Sequence, residues 1–239
     1  MANYKARGII LRRDNFGEAD RLVTLYTNRF GKITLLAKGT RRPTAKLTGT
    51  VNLFNEIDLV AAESRSIDIL VEAQIVVLRD KLSSDLTKAK AAYWVCELVD
   101  KLVQDNEAHI ELYNLIHNIL NAITQRNSDL VLSYFIFQCL NELGYRPELK
   151  HCAVCGKALT PPAKMYFSPV AGGIVSTCCI GTSGRPINPD TIKAMRFLDA
   201  PFGQAIKLKL PANIQKELHT HLKDFSEYIG QKKIRSEEL

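Results

Sequence analysis

The chain has 239 residues, 46% of them hydrophobic and 24% charged, and carries a formal net charge of +7. This is an ordinary globular composition with material for one large domain or two small ones, and it excludes a long disordered tail. No apolar run approaches the roughly 18 residues of a membrane span, and the first residues lack a signal-peptide hydrophobic region, so a soluble cytoplasmic protein with no membrane partner is expected.

From Tyr4 to about residue 74 the pattern is short and strand-like. Strands are expected at 6–13, 21–27, 32–38, 53–60 and 67–74, joined by turn signals at Asn15-Phe-Gly17, Phe30-Gly31 and Glu63-Ser-Arg65-Ser66. In the third, Ile33, Leu35 and Ala37 share one face while Lys32, Thr34 and Lys38 share the other. That strand breaks at Gly39 and runs into Arg41, Arg42 and Lys46. Five strands in so short a stretch, with a basic surface, suit an N-terminal five-stranded OB-type β-barrel. An SH3-like barrel would show much the same spacing.

After Leu78-Arg-Asp80 the period changes to about 3.6, the helical repeat. A helix is expected over 84–104, with Leu86, Ala89, Tyr93, Cys96, Val99 and Leu102 or Val103 on its inward face. A second, over 107–125, uses Ile110, Tyr113, Ile116, Leu120 and Ile123. A third, over 128–143, carries Val131, Tyr134, Phe135, Phe137, Gln138 and Leu140 and ends at Gly144, a residue suited to a left-handed C-cap. Its apolar width suggests the centre of a bundle. Asn188-Pro189-Asp190 combines an N-cap, a first-turn proline and an acid at the positive end of the helix dipole, and starts a helix to about Leu198. The last helix follows Pro211-Ala-Asn213 and turns Ile214, Leu218, His221 or Leu222, Phe225 and Ile229 inward. The fold class is thus mixed β and α: a barrel over 1–78, an all-α helical domain over 79–150 and 184–239, and an insertion over 151–183.

The positive charge is localised. Lys5, Arg7, Arg12, Arg13, Arg21, Arg29, Lys32, Lys38, Arg41, Arg42 and Lys46 fall within the first fifth of the chain, against Asp14, Glu18 and Asp20, so the rest is close to neutral. An isolated basic loop is usually a solvated turn. A strand that delivers cations to a Gly/Pro-broken loop, in the one region that holds the charge excess, is instead a phosphate-binding device. The phosphate-contacting candidates are Arg12, Arg13, Arg21, Lys32, Lys38, Arg41, Arg42 and Lys46, with Phe16 the best candidate for aromatic stacking because Tyr26 and Phe30 read as core.

Of six cysteines, Cys96 and Cys139 lie singly in apolar helical patterns and read as small core residues. The other four cluster, which in a chain with no export signal points to metal rather than disulfides. Cys152-Ala-Val-Cys155-Gly156 is half of a zinc knuckle, and Cys178 with Cys179 is the candidate other half, although Ser176 stands where the first residue of a second C-x-x-C would fall. Structural zinc on Cys152, Cys155, Cys178 and Cys179 is the expectation, with a metal-free hairpin as the alternative. His151 is a substitute ligand at most, and His219 and His221 face different directions on one helix. There is no P-loop, G-x-S-x-G or H-E-x-x-H motif, so neither a nucleotide cofactor nor catalysis is expected.

Taken together these pieces resemble the bacterial RecO family of recombination mediators. The match is carried by Gly8-Ile-Ile-Leu11, Gly17-Glu-Ala-Asp-Arg21 with Leu-Val-Thr-Leu-Tyr-Thr27, Gly31-Lys32, and Ala37-Lys38-Gly39 with Arg41-Arg42. It continues through Leu143-Gly-Tyr-Arg-Pro-Glu-Leu149, Cys152-Ala-Val-Cys155-Gly156, Phe167-Ser168, Gly172-Gly173 and Arg235-Ser236. The resemblance implies an OB fold, a helical domain and a zinc-ribbon-like insertion. It also implies binding of single- and double-stranded DNA, ATP-independent annealing, and partnership with RecR, with the C-terminal tail of single-stranded DNA-binding protein and, indirectly, with RecA. The tail would need an apolar pocket beside a cation, for which Arg126, Arg196 or Lys232-Lys233-Ile-Arg235 are candidates. A different class of reading is a helical adaptor that works mainly by protein docking and binds DNA weakly. A zinc-dependent hydrolase is disfavoured, since thiolate-rich sites without a nearby base are usually structural.

Overall fold

The computed structural model describes residues 2–42, 47–125, 128–159, 164–179, 184–231 and 234. They form two compact units, one running to Gln125 and including Ile234, the other lying between. No helix among the described residues is long and apolar enough to cross a membrane.

In the first unit five strands close into a barrel: β1 (Asn3–Phe16), β2 (Asp20–Thr27), β3 (Gly31–Ala37), β4 (Glu56–Ala62) and β5 (Ile69–Val77), in the order β1-β2-β3-β5-β4. All pairings are antiparallel except β3 with β5, which meet in parallel at Leu36 and Ile69. Alternation places Ile10, Val23, Leu25, Ile33, Leu35, Ala37, Ile57 and Leu59 inside. Each such Val, Leu or Ile contributes about 1.5–3 kcal/mol on burial. A β-bulge in β1 between Ile10 and Arg12 inverts the alternation beyond it. Ile10 opposes Leu25 inside, yet Arg13 opposes the core residue Val23 while Arg12 opposes Thr24 on the outer face.

Three helices complete this unit: α1 (Asp80–Ser83), α2 (Leu86–Leu102) and α3 (Ile110–Ile123). Asp85 caps α2 by accepting from the Thr87 and Lys88 amides. Of the expected inward face of α2, Ala89, Cys96, Val99 and the following Val103 are buried, and the buried face is wider than expected. Ala91, Ala92, Trp94, Val95, Leu98 and Val99 are buried, whereas Leu86 and Tyr93 are exposed. Gly31 shows how closely the segment after α2 approaches β3: it has φ +64°, and a β-carbon there would overlap the Glu107 carbonyl. Helix α3 is held to the barrel by a buried polar network. Glu56 accepts from Arg79 Nη2 at 3.2 Å and from the Tyr113 hydroxyl at 2.9 Å, and its Oε2 is 2.6 Å from His117 Nδ1. Arg79 also donates to Asn121 Oδ1 and to the Phe54 carbonyl.

The second unit contains α4 (Ser128–Glu142), β6 (Met165–Ser168), β7 (Gly173–Ser176), β8 (Arg185–Pro186), α5 (Pro189–Phe197), α6 (Phe202–Ala205) and α7 (Ala212–Gly230). Residues 131–137 of α4 are all buried, as the apolar width of the segment requires, and Gly144 closes the helix at φ +82°. Helix α7 packs against α4 and α5, with Ile214, Leu218, Leu222 and Phe225 inward. Asn188 caps α5 through the Asp190 amide at 2.9 Å, with Pro189 at the first turn. The β6-β7 hairpin docks on the chain at Glu148, whose carbonyl would meet any β-carbon at Gly173.

Candidate nucleic-acid interface and cysteine cluster

The eight sequence-predicted cations separate into different environments. Lys32 is almost buried, and its ammonium donates to the Asp100 carbonyl at 2.7 Å near the C-terminus of α2. It also pairs with the Asp105 carboxylate at 3.2 Å and the Asp100 carboxylate at 3.7 Å. A cation in the last turn of a helix meets the negative end of its dipole. Arg12, on the same outer face, pairs with Asp14 at 2.6 Å and with Asp100 at 3.0 Å. Both side chains therefore fasten α2 over the β1-β2-β3 face, with their charge matched by carboxylates.

Arg13 and Arg21 lie on the inward row at the end of the barrel. Opposed residues in an antiparallel ladder share a face, and Arg13 opposes Val23 while Arg21 opposes Ala37. Arg13 donates to Asn52 Oδ1 at 2.6 Å, a neutral acceptor. Burial, and next the Arg21 charge, lower the proton affinity of its guanidinium. Arg21 Nε is buried with no hydrogen-bond partner among the described residues. The two guanidiniums repel each other, and neither pairs with a carboxylate among the described residues.

The loop after β3 continues this surface. The Gly39 amide donates to Asp20 Oδ1 at 2.7 Å, the Arg41 amide to the Ala19 carbonyl at 2.9 Å, and the Arg41 guanidinium to the Gly17 carbonyl at 3.0 Å. These bonds tie the loop to the β1-β2 turn. The Arg41 acceptor is a neutral carbonyl rather than a carboxylate. Lys38 and Arg42 are exposed and make no ion pair with the described residues. Lys46 lies outside the described residues, as do Arg126, Lys232, Lys233 and Arg235. Phe16, at the end of β1, is 45% exposed, whereas Tyr26 is fully buried and Phe30 packs edge-on against Tyr4.

In the second unit the Sγ atoms of Cys152, Cys155 and Cys179 all lie within 4.8 Å of one another. Cys178 is exposed, its Sγ 3.1 Å from the Ser176 hydroxyl and 3.7 Å from Cys179 Sγ. The Ser176 amide points at Cys152 Sγ at 3.5 Å. Burial opposes the Cys152 thiolate, but the hydroxyl and amide of Ser176 outweigh it and bring this thiol down to about 6. Ser176 thus organises the sulfurs around it. Arg196 is committed to the Leu149 carbonyl through Nε and Nη2. His221 is buried against the Phe167 ring, 5.5 Å between centroids.

A closed barrel with cations at one end that make no ion pair among the described residues, followed by helices and a cysteine-bearing hairpin, defines a barrel-and-helix protein. The family comparisons agree in extent: the family model described as Recombination protein O N terminal matches residues 1–79, and that described as Recombination protein O C terminal matches 83–238. The chain belongs to the RecO family. It is 30% identical to the DNA repair protein RecO of Bifidobacterium adolescentis, over 100% of this chain and 99% of that protein. It is 32% identical to that of Roseiflexus sp., over 98% and 83% respectively. For that of Dehalococcoides mccartyi (strain BAV1) the figures are 29%, 98% and 93%. Membership supports a role in DNA repair and recombination.

Proposed function

We propose that this protein is a recombination mediator that binds single- and double-stranded DNA, anneals complementary strands without ATP, and helps load recombinase onto strands coated by single-stranded DNA-binding protein, together with RecR. The observation that carries the reading is the group Arg13, Arg21, Lys38, Arg41 and Arg42 at one end of the barrel, none of them paired to a carboxylate among the described residues. The strand order of the barrel supports an OB-type assignment. Annealing requires no covalent step from the protein. Two polyanions repel, and a surface that neutralises phosphates on both lowers that cost while base pairing supplies sequence specificity. Cations that contact only phosphate impose little base preference.

Charge reversal at Arg41 and Arg42 is the test, because both are exposed and hold no fold-defining ion pair. Annealing in a salt-titrated assay should be lost while the melting temperature is kept. Full annealing by the Arg41→Glu/Arg42→Glu protein would sink the reading.

The hairpin is proposed as a zinc-ribbon-like insertion. Sulfurs around one tetrahedral zinc stand about 3.8 Å apart, and the three converging thiols fit that spacing after small adjustments, with Cys178 beside them. Zinc would hold the hairpin to the Cys152 turn and supply no step of annealing. The purified protein should contain about one zinc per chain, and Cys152→Ser should abolish it. Metal content unchanged in that variant would contradict the assignment. The C-terminal tail of single-stranded DNA-binding protein and, indirectly, RecA complete the proposed partners, and the proposed location is cytoplasmic.

A further inference from the structure

Beside the barrel-end cations, helix α2 holds up an aromatic ring on a rigid support. Asn52, which accepts from Arg13, is followed two residues later by Phe54, whose backbone is left-handed at φ +70°. That conformation is costly for an aromatic residue and persists only where its surroundings enforce it. Here the Phe54 amide donates to the Ile10 carbonyl at 3.1 Å, and its carbonyl accepts from Arg79 Nη1 at 2.9 Å. The buried Phe54 ring then meets Tyr93 edge-to-face, centroids 5.1 Å apart and planes at 79°. Tyr93 itself is 36% exposed, and the residue it packs on lies two positions from the Asn52 that holds Arg13. One turn earlier on the same face of α2 is Lys90, which makes no ion pair with the described residues. Tyr93 and Lys90 thus share a face of α2, next to the segment 52–54 that holds Arg13.

We infer that Tyr93 is a stacking platform for an unpaired nucleobase, with the flanking phosphates taken by Arg13 and Lys90, so that this surface favours single-stranded over duplex DNA. The inference rests on the DNA-binding reading and deepens it. Every base presents a π-face, so such a platform tolerates any sequence, whereas a duplex has its base faces already stacked internally. A ring fixed by Phe54 loses little freedom when a base covers it.

The test measures binding of oligodeoxythymidylate and of a hairpin duplex by wild type, Tyr93→Ala and Tyr93→Phe. The alanine variant should bind the single strand about tenfold more weakly, with duplex affinity and the salt slope unchanged, and the phenylalanine variant should match wild type. Wild-type single-strand affinity in Tyr93→Ala would overturn the inference. So would equal losses in the two variants, which would assign the effect to the hydroxyl, or parallel losses on both DNAs. A wild type that binds neither DNA in a salt-dependent way would instead remove the DNA-binding reading beneath it.

Discussion

Glu56→Gln is expected to lower the unfolding free energy at neutral pH by about 3–5 kcal/mol, because it leaves the Arg79 guanidinium buried without its countercharge. Glu56 and Arg79 are both nearly inaccessible, and the carboxylate is the shared acceptor of Arg79, Tyr113 and His117. Burial by itself would raise the Glu56 carboxyl. Hydrogen bonds from His117 and Tyr113, then the charges of His117 and Arg79, outweigh burial and hold it below the usual carboxylate range. Desolvation acts on Arg79 in the opposite sense to its pairing, lowering its proton affinity, but a guanidinium keeps its proton throughout the range in which proteins fold. Because the folded-state value of Glu56 is depressed, its stabilisation is fully present above the unfolded value of about 4.3 and is lost as pH falls through the lower folded value. The stability gap between wild type and Glu56→Gln should therefore close on acidification. Denaturant unfolding at a series of pH values measures it, and a gap below about 1 kcal/mol, or one that stays constant into acid, would show that the network does not bind α3 to the barrel as described.

The second large effect is expected from Arg13→Gln combined with Arg21→Gln. If the five barrel-end cations each neutralise one phosphate, log affinity for a single strand falls against log salt with a slope of about −3.5, and removing two contacts brings this to about −2.1. At 0.1 M salt the same loss weakens binding by roughly 25-fold. Removing these charges relieves the repulsion between Arg13 and Arg21, so folding stability should not fall with affinity. Lys32→Gln should behave in the opposite way: it takes the cation from Asp105, leaves Asp100 with Arg12 alone and loosens α2, yet leaves the slope as it was. A pair of titrations that gave Lys32→Gln the larger change in slope would reverse these assignments.

Much of the architecture could be read from residue order because local and tertiary preferences agree. Ile33, Leu35 and Ala37 alternate into the core as their period demands, and Gly144 and Asn188 end and begin helices through the conformations and side-chain bonds expected of them. What could not be read depended on register and on partners distant in sequence. The bulge at Ile10/Arg12 exchanges the faces of Arg12 and Arg13, and alternation carries no signal of where an extra residue will sit. Lys32 was expected to share an open face with Lys38, but that face is covered near Lys32 by the end of α2, so two lysines of one strand have different environments. Tyr93 fitted a helical stripe and was expected to face inward, while the neighbouring Ala91, Ala92, Trp94 and Val95 fill the interface instead. The Ser176 position departs from the C-x-x-C pattern, yet its hydroxyl and amide arrange Cys178 and Cys152 rather than merely replacing a thiol.

The central claim is that the barrel end binds phosphate backbones through cations left unpaired among the described residues. Fluorescence anisotropy of labelled single strands of different sequence, titrated with wild-type protein between about 50 and 200 mM salt, tests it most directly. A slope near −3.5 shared by all sequences, reduced to about −2.1 in the Arg13→Gln/Arg21→Gln protein, is the predicted result. Binding that is insensitive to salt, or a slope unaffected by that double substitution, would contradict it.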